Sequence, residues 1–215
     1  FLMGEQDWWA KVVTPFFQEV AHIPFWVYDP RHPDCVGETR DSVVQTIDLA
    51  PTILDYFDIP ATRDMQGKSL TGAMLNDEPV REAALYGVMG GQVNVTDGQY
   101  VYMRGNVTED NSPLFEYTLM PTHMKSLFSV RELSSWEKFE DFSFTKACPV
   151  MQIPSRTPRF LLAQDNPYGK GRTATLLFDV QADPGQTNPL TDAGLEIRMI
   201  KLMLHEMARN ECPPE

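Results

Sequence analysis

The first apolar run of the chain is Ile-Pro-Phe-Trp-Val-Tyr at residues 23–28, closed by Asp29-Pro30. Its length and its aromatic content favour a buried strand over a helix. The run passes into a segment rich in proline, glycine and charge, residues 29–41, which predicts an exposed loop.

The pattern at residues 43–60 predicts a helix. Asp48 stands at the N-cap position, and Pro51 falls in the first turn, where its missing N–H is harmless. Apolar residues then recur at helical spacing until Pro60 ends the element: Ile53, Leu54 and Phe57. A strand, a loop and a helix in this order predict the end of an α/β layer.

The second half of the chain has a different pattern. Residues 83–105 alternate aromatic and β-branched side chains around Asp97-Gly98, which predicts a β-hairpin. Residues 173–180 predict a further strand, closed by the turn Asp183-Pro184-Gly185. A helix is predicted from Asp192 to about Arg209, with a face that we assign to core packing: Leu195, Met199, Leu202 and Met203.

Residues 105–172 contain several prolines and few periodic segments, so they predict a long connection. The polar, proline-containing segment 76–82 is a candidate boundary between two parts. We therefore predict an α/β fold in two domains. Residues 1–78 are the end of an α/β layer, and residues 79–215 are a small antiparallel α+β subdomain capped by the C-terminal helix.

Composition narrows the function classes. The 215 residues include 30 acidic and 18 basic side chains, a formal charge of -12, which argues against a nucleic-acid partner. No apolar run approaches the roughly 18 residues that a membrane helix needs, so we expect no membrane span. Three widely spaced cysteines, Cys35, Cys148 and Cys212, suit neither a disulfide framework nor a zinc site, and we expect unpaired thiols.

Several segments, in this order, resemble the arylsulfatase-like sulfatases of the alkaline phosphatase superfamily. The segments are Gly-Glu-Gln-Asp-Trp-Trp-Ala-Lys at 4–11, His-Ile-Pro at 22–24, Asp-Leu-Ala-Pro-Thr at 48–52 and Gly-Lys-Ser-Leu at 67–70. The stretch 177–190, with Phe-Asp and Asp-Pro before Asn-Pro-Leu, resembles the closing strand of that family. The resemblance is weakest across 105–172.

The resemblance implies that the chain is the C-terminal portion of a sulfatase and begins just after the metal-binding Asp-His-Gly motif. It also implies that residues 1–78 are the end of an alkaline-phosphatase-like catalytic layer. The expected partner is then the missing N-terminal part of the same protein. That part would hold the cysteine oxidised to formylglycine and the ligands of Ca²⁺ (or Mg²⁺), so we expect no metal bound by this chain. Gln152-Ile153-Pro154-Ser155-Arg156 imitates the formylglycine motif, but glutamine cannot become formylglycine.

Lys11 is the catalytic candidate of the chain. By its match to the Trp-x-Lys of the family, its ammonium would point at a sulfate oxygen, a strong contact in a dry pocket. The alternative is a surface lysine whose stem lies over tryptophan. Gln6 departs from the histidine often found there, and an amide can only form hydrogen bonds.

Other candidates are weaker. We expect His22 to be a buried structural histidine near the site, bonded to a carboxylate, with a ligand role as the alternative. His123, close to Lys125, is a candidate substrate contact, and an exposed loop residue is the alternative. Gly90 and Gly91 in the hairpin predict either a bulge that lets the backbone approach a substrate or mere relief of crowding.

The expected function of the parent protein is hydrolysis of a small sulfated substrate, with this chain alone inactive. A phosphomonoester or phosphonate monoester hydrolase of the same superfamily is the enzymatic alternative, and a non-catalytic binding module is the other. The sequence does not decide between a bacterial cytoplasm and a periplasm, because the N-terminus of the parent protein is not visible.

Overall fold

A computed structural model describes residues 2–11, 14–108, 111–120, 122–123, 126–156 and 174–213. The strands are β1 Leu2–Met3, β2 Trp9–Ala10, β3 Ala84–Gly87, β4 Val93–Thr96, β5 Tyr100–Arg104, β6 Phe115–Thr118, β7 Glu137–Phe139, β8 Val150–Pro154 and β9 Leu176–Asp179. The α-helices are α1 Gln18–Ala21, α2 Leu49–Tyr56, α3 Thr71–Asn76, α4 Val130–Leu133 and α5 Ala193–Arg209. The fold is a mixed α/β arrangement whose sheets are antiparallel.

The central element is a four-stranded sheet in the order β3-β4-β5-β9. The predicted hairpin is confirmed, because β4 and β5 pair with Thr96 opposite Val101. Gly98 has a φ of 94°, and Asp97 Oδ1 accepts the Tyr100 N–H at 2.7 Å. The side chain of Asp97 therefore closes the turn, and glycine supplies a conformation that other residues rarely adopt.

Both faces of this sheet are covered. Alternate residues of the strands point to opposite faces, so each face has its own apolar cluster. One face packs against α5 through Ala83, Val95, Tyr102, Leu177, Met199 and Met203. The other packs against the N-terminal segment through Phe17, Val101, Met103, Ala174, Leu176 and Phe178.

Helix α5 follows the prediction closely. Asp192 is its N-cap, and Asp192 Oδ1 accepts the Leu195 N–H at 2.9 Å. Met199 and Met203 are buried against the sheet, so the apolar stripe is core packing as expected. Helix α2 is also confirmed, with Pro51 buried in its first turn.

A second sheet, in the order β6-β8-β7, lies within the stretch predicted as a long connection. Strand β6 pairs with β8 and not with its neighbour in sequence, so Thr118 lies opposite Met151. Aromatic rings pack beside this sheet, and the centroids of Tyr117 and Phe139 are 4.8 Å apart. Short strands that pair across more than thirty residues leave little periodic signal, which explains why the prediction failed here.

The prediction of a strand at residues 23–28 is wrong. These residues take no regular secondary structure, and Trp26 and Tyr28 are 85% and 72% exposed. A strand needs a neighbour for its backbone hydrogen bonds, and no described strand pairs with this segment. The alkaline-phosphatase-like layer is accordingly not observed, and the division at residue 78 stays a prediction.

The structure describes all three cysteines, and none of them forms a disulfide bond, as predicted. Within the described ranges, every helix is too short or too polar to cross a bilayer.

Candidate functional site

Lys11 directly follows a small hairpin at the N-terminal end of the described chain. Strand β1 pairs with β2, with Met3 opposite Trp9, and a 3-10 turn at Glu5–Asp7 connects them. Gln6 and Asp7 adopt φ values of 55° and 58°, a left-handed conformation that fixes the sharp reversal of the chain. The hairpin therefore fixes the backbone position from which the Lys11 side chain extends, directly after β2.

The side chains around this point are open to solvent. Trp9 is 73% exposed, Lys11 is exposed, and Trp8 is half-buried. Among the described residues, none forms an ion pair or hydrogen bond with the Lys11 ammonium. The ammonium is thus available to an anion, and a surface lysine would present the same exposure.

Hydrogen bonds connect the hairpin to the backbone of Gly185 and Gln186. Gln6 Nε2 donates to Gly185 O at 2.5 Å and lies 3.5 Å from Gln186 O. On the other side of Lys11, the Gln18 N–H donates to Gln186 Oε1 at 2.6 Å. The amide of Gln6 is therefore a structural donor, consistent with the prediction that it can only form hydrogen bonds.

Phe17 anchors the same segment in the core. It is 1% exposed, and its ring meets that of Phe178 edge-on, with centroids 6.3 Å apart. Gln6, before Lys11, is thus held by hydrogen bonds, and Phe17 and Gln18, after it, are held by apolar packing and by a hydrogen bond.

Gly91 lies beside this segment. A Cβ on Gly91 would come 3.7 Å from Thr14 Cγ2 and 3.1 Å from Val88 Cγ1. Gly90 has a φ of 76°, and the Gly91 N–H donates to Val88 O at 2.9 Å. The pair forms the turn between β3 and β4, and the absence of side chains there relieves crowding.

His22 does not have the predicted environment. It is exposed at the C-terminal end of α1, where its backbone N–H donates to Gln18 O at 2.8 Å. A helix of four residues ends before the segment can turn inward, so the imidazole faces solvent. The expected burial of His22 is therefore wrong, and its role stays untested.

His123 is held by the second sheet and by α4. Its Nε2 lies 2.7 Å from Glu132 Oε1, and its Nδ1 lies 3.5 Å from Glu116 Oε2. The ring also meets Phe128 edge-on at 4.2 Å. Carboxylates already occupy both ring nitrogens, which disfavours contact with an anionic substrate, and Lys125 lies outside the described residues.

Glu132 shows the strength of this arrangement. Hydrogen bonds from the Ser129 hydroxyl and backbone, together with that from His123, lower the pKa of the Glu132 carboxyl to about 2. Ser129 and Glu132 also form a capping box for α4. The cluster is therefore a structural link between α4 and the sheet.

The sequence missed a buried ion pair. Asp48 is fully buried and receives two hydrogen bonds from Arg81, each of 2.5 Å, so its carboxylate does not cap α2. Burial raises the pKa of Asp48, but the hydrogen bonds from Arg81, Lys68 and Gln45 outweigh it and hold the pKa below its usual range. The sequence feature that could have indicated this pair is the charged Arg81 within the polar segment 76–82.

Two of the segments that resemble sulfatase motifs pack on each other. The Lys68 N–H donates to Asp48 Oδ1 at 2.9 Å, and the Leu70 N–H donates to Thr52 Oγ1 at 2.9 Å. A Cβ on Gly67 would collide with the carbonyl oxygen of Ile47. The glycine is therefore required by close backbone approach, and both motifs are structural in this chain.

No group of three or more histidine, cysteine or acidic side chains that could hold a metal ion occurs among the described residues. The described part of the chain thus offers no site that fits the expected Ca²⁺ or Mg²⁺.

A sequence model of the family described as N-sulphoglucosamine sulphohydrolase, C-terminal, matches residues 4–135. The match covers more than half of the chain and includes Lys11, so the chain belongs to this family. The predicted resemblance to the C-terminal portion of a sulfatase is confirmed.

Individual relatives carry related names. The chain is 31% identical to an arylsulfatase of Clostridium perfringens over 32% of its own length and 14% of the relative's. It is 29% identical to an N-acetylglucosamine-6-O-sulfatase of Bacteroides thetaiotaomicron over 40% and 16%. It is 24% identical to an ulvan-active sulfatase of Formosa agariphila over 86% and 38%. The chain therefore spans well under half the length of these relatives.

Proposed function

We propose that the protein containing this chain hydrolyses sulfate esters, and that this chain contributes Lys11 to the sulfate-binding site. The observation that carries the proposal is the family match, which spans residues 4–135 and so includes the lysine hairpin. The exposed ammonium and the rigid attachment of its backbone agree with this role.

The substrate class that we propose is a sulfated carbohydrate. The names of two relatives, the N-acetylglucosamine-6-O-sulfatase and the ulvan-active sulfatase, and the description of the family support this choice. A sugar sulfate also suits the exposed Trp9, because an aromatic face beside a cation can lie against the apolar face of a sugar ring.

Lys11 would act by its charge. Negative charge on the sulfate oxygens is stabilised by a donor that is already in place, since no reorganisation is then needed during the reaction. The hydrogen bonds from Gln6 and Gln18 to the 185–186 backbone and side chain keep the ends of the segment fixed. The chain thus supplies a positioned cation.

The formylglycine nucleophile and the Ca²⁺ (or Mg²⁺) stay proposals about residues outside this chain. When bound, the metal ion would polarise the sulfate as a Lewis acid. No step involving either group is assigned to residues of this chain.

We also propose that residues 23–28 and the exposed side of α2 pack against the rest of the same protein. Trp26 is 85% exposed and Phe57 is 64% exposed. Exposure of large aromatic side chains to water is energetically unfavourable, and such apolar surfaces commonly mark contact sites. The relatives are several times longer than the matched segments, so a covering part of the chain is available in proteins of this kind.

The proposal is tested with the complete natural protein and four substrates: glucosamine 6-sulfate, N-sulfoglucosamine, p-nitrophenyl sulfate and p-nitrophenyl phosphate. Release of sulfate and of phosphate is measured at equal substrate concentrations. We expect turnover of glucosamine 6-sulfate with a kcat/KM well above that for the phosphate ester. Turnover of N-sulfoglucosamine alone, whose sulfur is bonded to nitrogen, would instead indicate a sulfamate hydrolase.

The rival functions predict other results. A phosphomonoester hydrolase would prefer p-nitrophenyl phosphate, and a phosphonate monoester hydrolase would cleave phenyl phosphonate esters added to the panel. A binding module would bind a sulfated sugar by calorimetry without turnover. Any of these three results would overturn the proposed sulfatase activity.

A further inference from the structure

Gln186 is an unusual residue at the end of the turn that follows β9. Its side chain is fully buried, and its φ is 49°. Glycine adopts this left-handed conformation without strain, whereas a residue with a Cβ does so at an energetic cost. The contacts of the Gln186 side chain must therefore compensate for the strain of its backbone.

Those contacts lie on both sides of Lys11. Gln186 Oε1 accepts the Gln18 N–H at 2.6 Å, after Lys11 in the chain. The backbone carbonyl oxygens of Gly185 and Gln186 face Gln6 Nε2, before Lys11 in the chain. One short segment thus holds the two ends of the stretch that carries the lysine.

The anchor itself is rigid. The Gln186 N–H donates to Asp183 O at 3.0 Å, and Asp183 Oδ2 accepts the Asn188 N–H at 2.7 Å. At the start of the turn, Asp179 Oδ1 accepts the Ala182 N–H at 2.9 Å, and Asp179 ends β9. These hydrogen bonds connect the turn to the central sheet. Gln6 and Gln18, which bond to the turn, are therefore connected to the sheet as well.

We propose that Gln186 is a positioning residue for Lys11, which fixes the lysine hairpin and α1 to the turn after β9. This proposal rests on the proposed role of Lys11 at the sulfate. The side-chain oxygen of Gln186 acts through the Gln18 backbone, and Gln186 itself touches no substrate.

Gln186→Gly in the complete natural protein is the main test, because glycine suits the left-handed backbone and removes only the side chain. We expect faster amide hydrogen exchange in the peptide covering residues 14–20, because the Gln18 N–H loses its acceptor, while the backbone acceptors of Gln6 stay in place. We also expect kcat/KM for the sulfated substrate to fall about 10- to 100-fold, the usual cost of a small misplacement.

Two further variants separate positioning from general loosening. Gln181→Ala removes an exposed amide side chain of the same turn without adding backbone freedom, and it should leave exchange and turnover unchanged. Lys11→Ala combined with Gln186→Gly should lower kcat/KM little more than Lys11→Ala alone, because a misplaced lysine has already lost its effect.

Unchanged exchange at residues 14–20 in Gln186→Gly would overturn the positioning role, whatever the activity. Fully additive losses in the double variant would overturn the link to Lys11. A wild-type protein that turns over no sulfate ester would sink the proposed function instead, and the exchange measurement would still decide whether Gln186 holds the segment.

Discussion

The role of a charged side chain in this chain follows from what surrounds it. Asp48 and Lys11 both belong to segments that resemble sulfatase motifs, yet one is fully buried in an ion pair and the other is exposed. Removing the Asp48 charge should lower the stability of the fold, because Arg81 would stay buried without a partner. Removing the Lys11 charge should affect only the proposed contact with a sulfate.

Lys11→Ala in the complete natural protein should lower kcat/KM by at least about tenfold, since removal of one charge-stabilising group commonly costs 10²–10³. The midpoint of chemical unfolding should stay unchanged, because the side chain is exposed. Lys201→Ala, an exposed lysine of α5, serves as the control and should change neither value. An unchanged kcat/KM for Lys11→Ala would make Lys11 an ordinary surface lysine.

Asp48→Asn should lower the free energy of unfolding by about 3–5 kcal/mol, the usual cost of leaving one member of a buried pair unpaired. Asp64→Asn breaks the exposed pair with Lys146 and should cost less than about 1 kcal/mol. Both values come from denaturant titrations. Equal losses in the two variants would show that the Asp48–Arg81 pair is solvated.

The lowered pKa of Glu132 predicts a pH dependence of its own. The carboxylate stabilises the start of α4 fully above its ordinary pKa of 4.5, and this contribution is lost as the pH falls toward about 2. Amide exchange at Ser129 and the carboxyl NMR signal of Glu132 should therefore change between these two pH values. Glu132→Gln should remove that transition, and a signal that titrates near 4.5 would contradict it.

At the scale of elements, local patterns predicted the parts that local interactions form. The hairpin around Asp97-Gly98 and helix α5 were predicted because turn chemistry, strand alternation and helical periodicity act within a few residues. The β6-β8-β7 sheet was not predicted, because its strands are joined by pairing between distant segments.

Asp192→Ala should lower the free energy of unfolding by about 1 kcal/mol, because the carboxylate accepts the Leu195 N–H at the first turn of α5. Since α5 covers one face of the central sheet, the loss should appear in global unfolding as well as in helix fraying. Asp141→Ala, at an exposed position outside the helices, is the matched control and should have little effect. Equal values for the two variants would mean that the cap contributes nothing.

At the scale of the whole molecule, the unusual feature is the apolar surface formed by residues 23–28 and by the side of α2 near Phe57. A strand prediction for 23–28 assumed neighbouring strands, and the described residues provide none. The proposed active site also needs residues outside this chain. This chain supplies Lys11, while the proposed nucleophile is assigned to residues outside it.

Trp26→Ala in the complete natural protein tests whether this surface is covered. If the rest of the protein packs on it, the free energy of unfolding should fall by about 3–5 kcal/mol, the usual cost of removing a buried aromatic side chain. Val107→Ala, at a residue that is 84% exposed, should change it by less than about 0.5 kcal/mol. A similarly small effect of Trp26→Ala would show that the tryptophan stays in water.

The sequence by itself determined the helices α2 and α5, the hairpin around Gly98 and the family to which the motifs belong, because these depend on short-range spacing. The tertiary structure decided that Asp48 pairs with Arg81, that His123 lies between two carboxylates and that residues 185–186 bond to Gln6 and Gln18 on either side of Lys11. Gln186 and Gln18 are separated by 168 residues. A hydrogen bond between such distant residues has no periodicity, and only the packing of the central sheet brings its two atoms together.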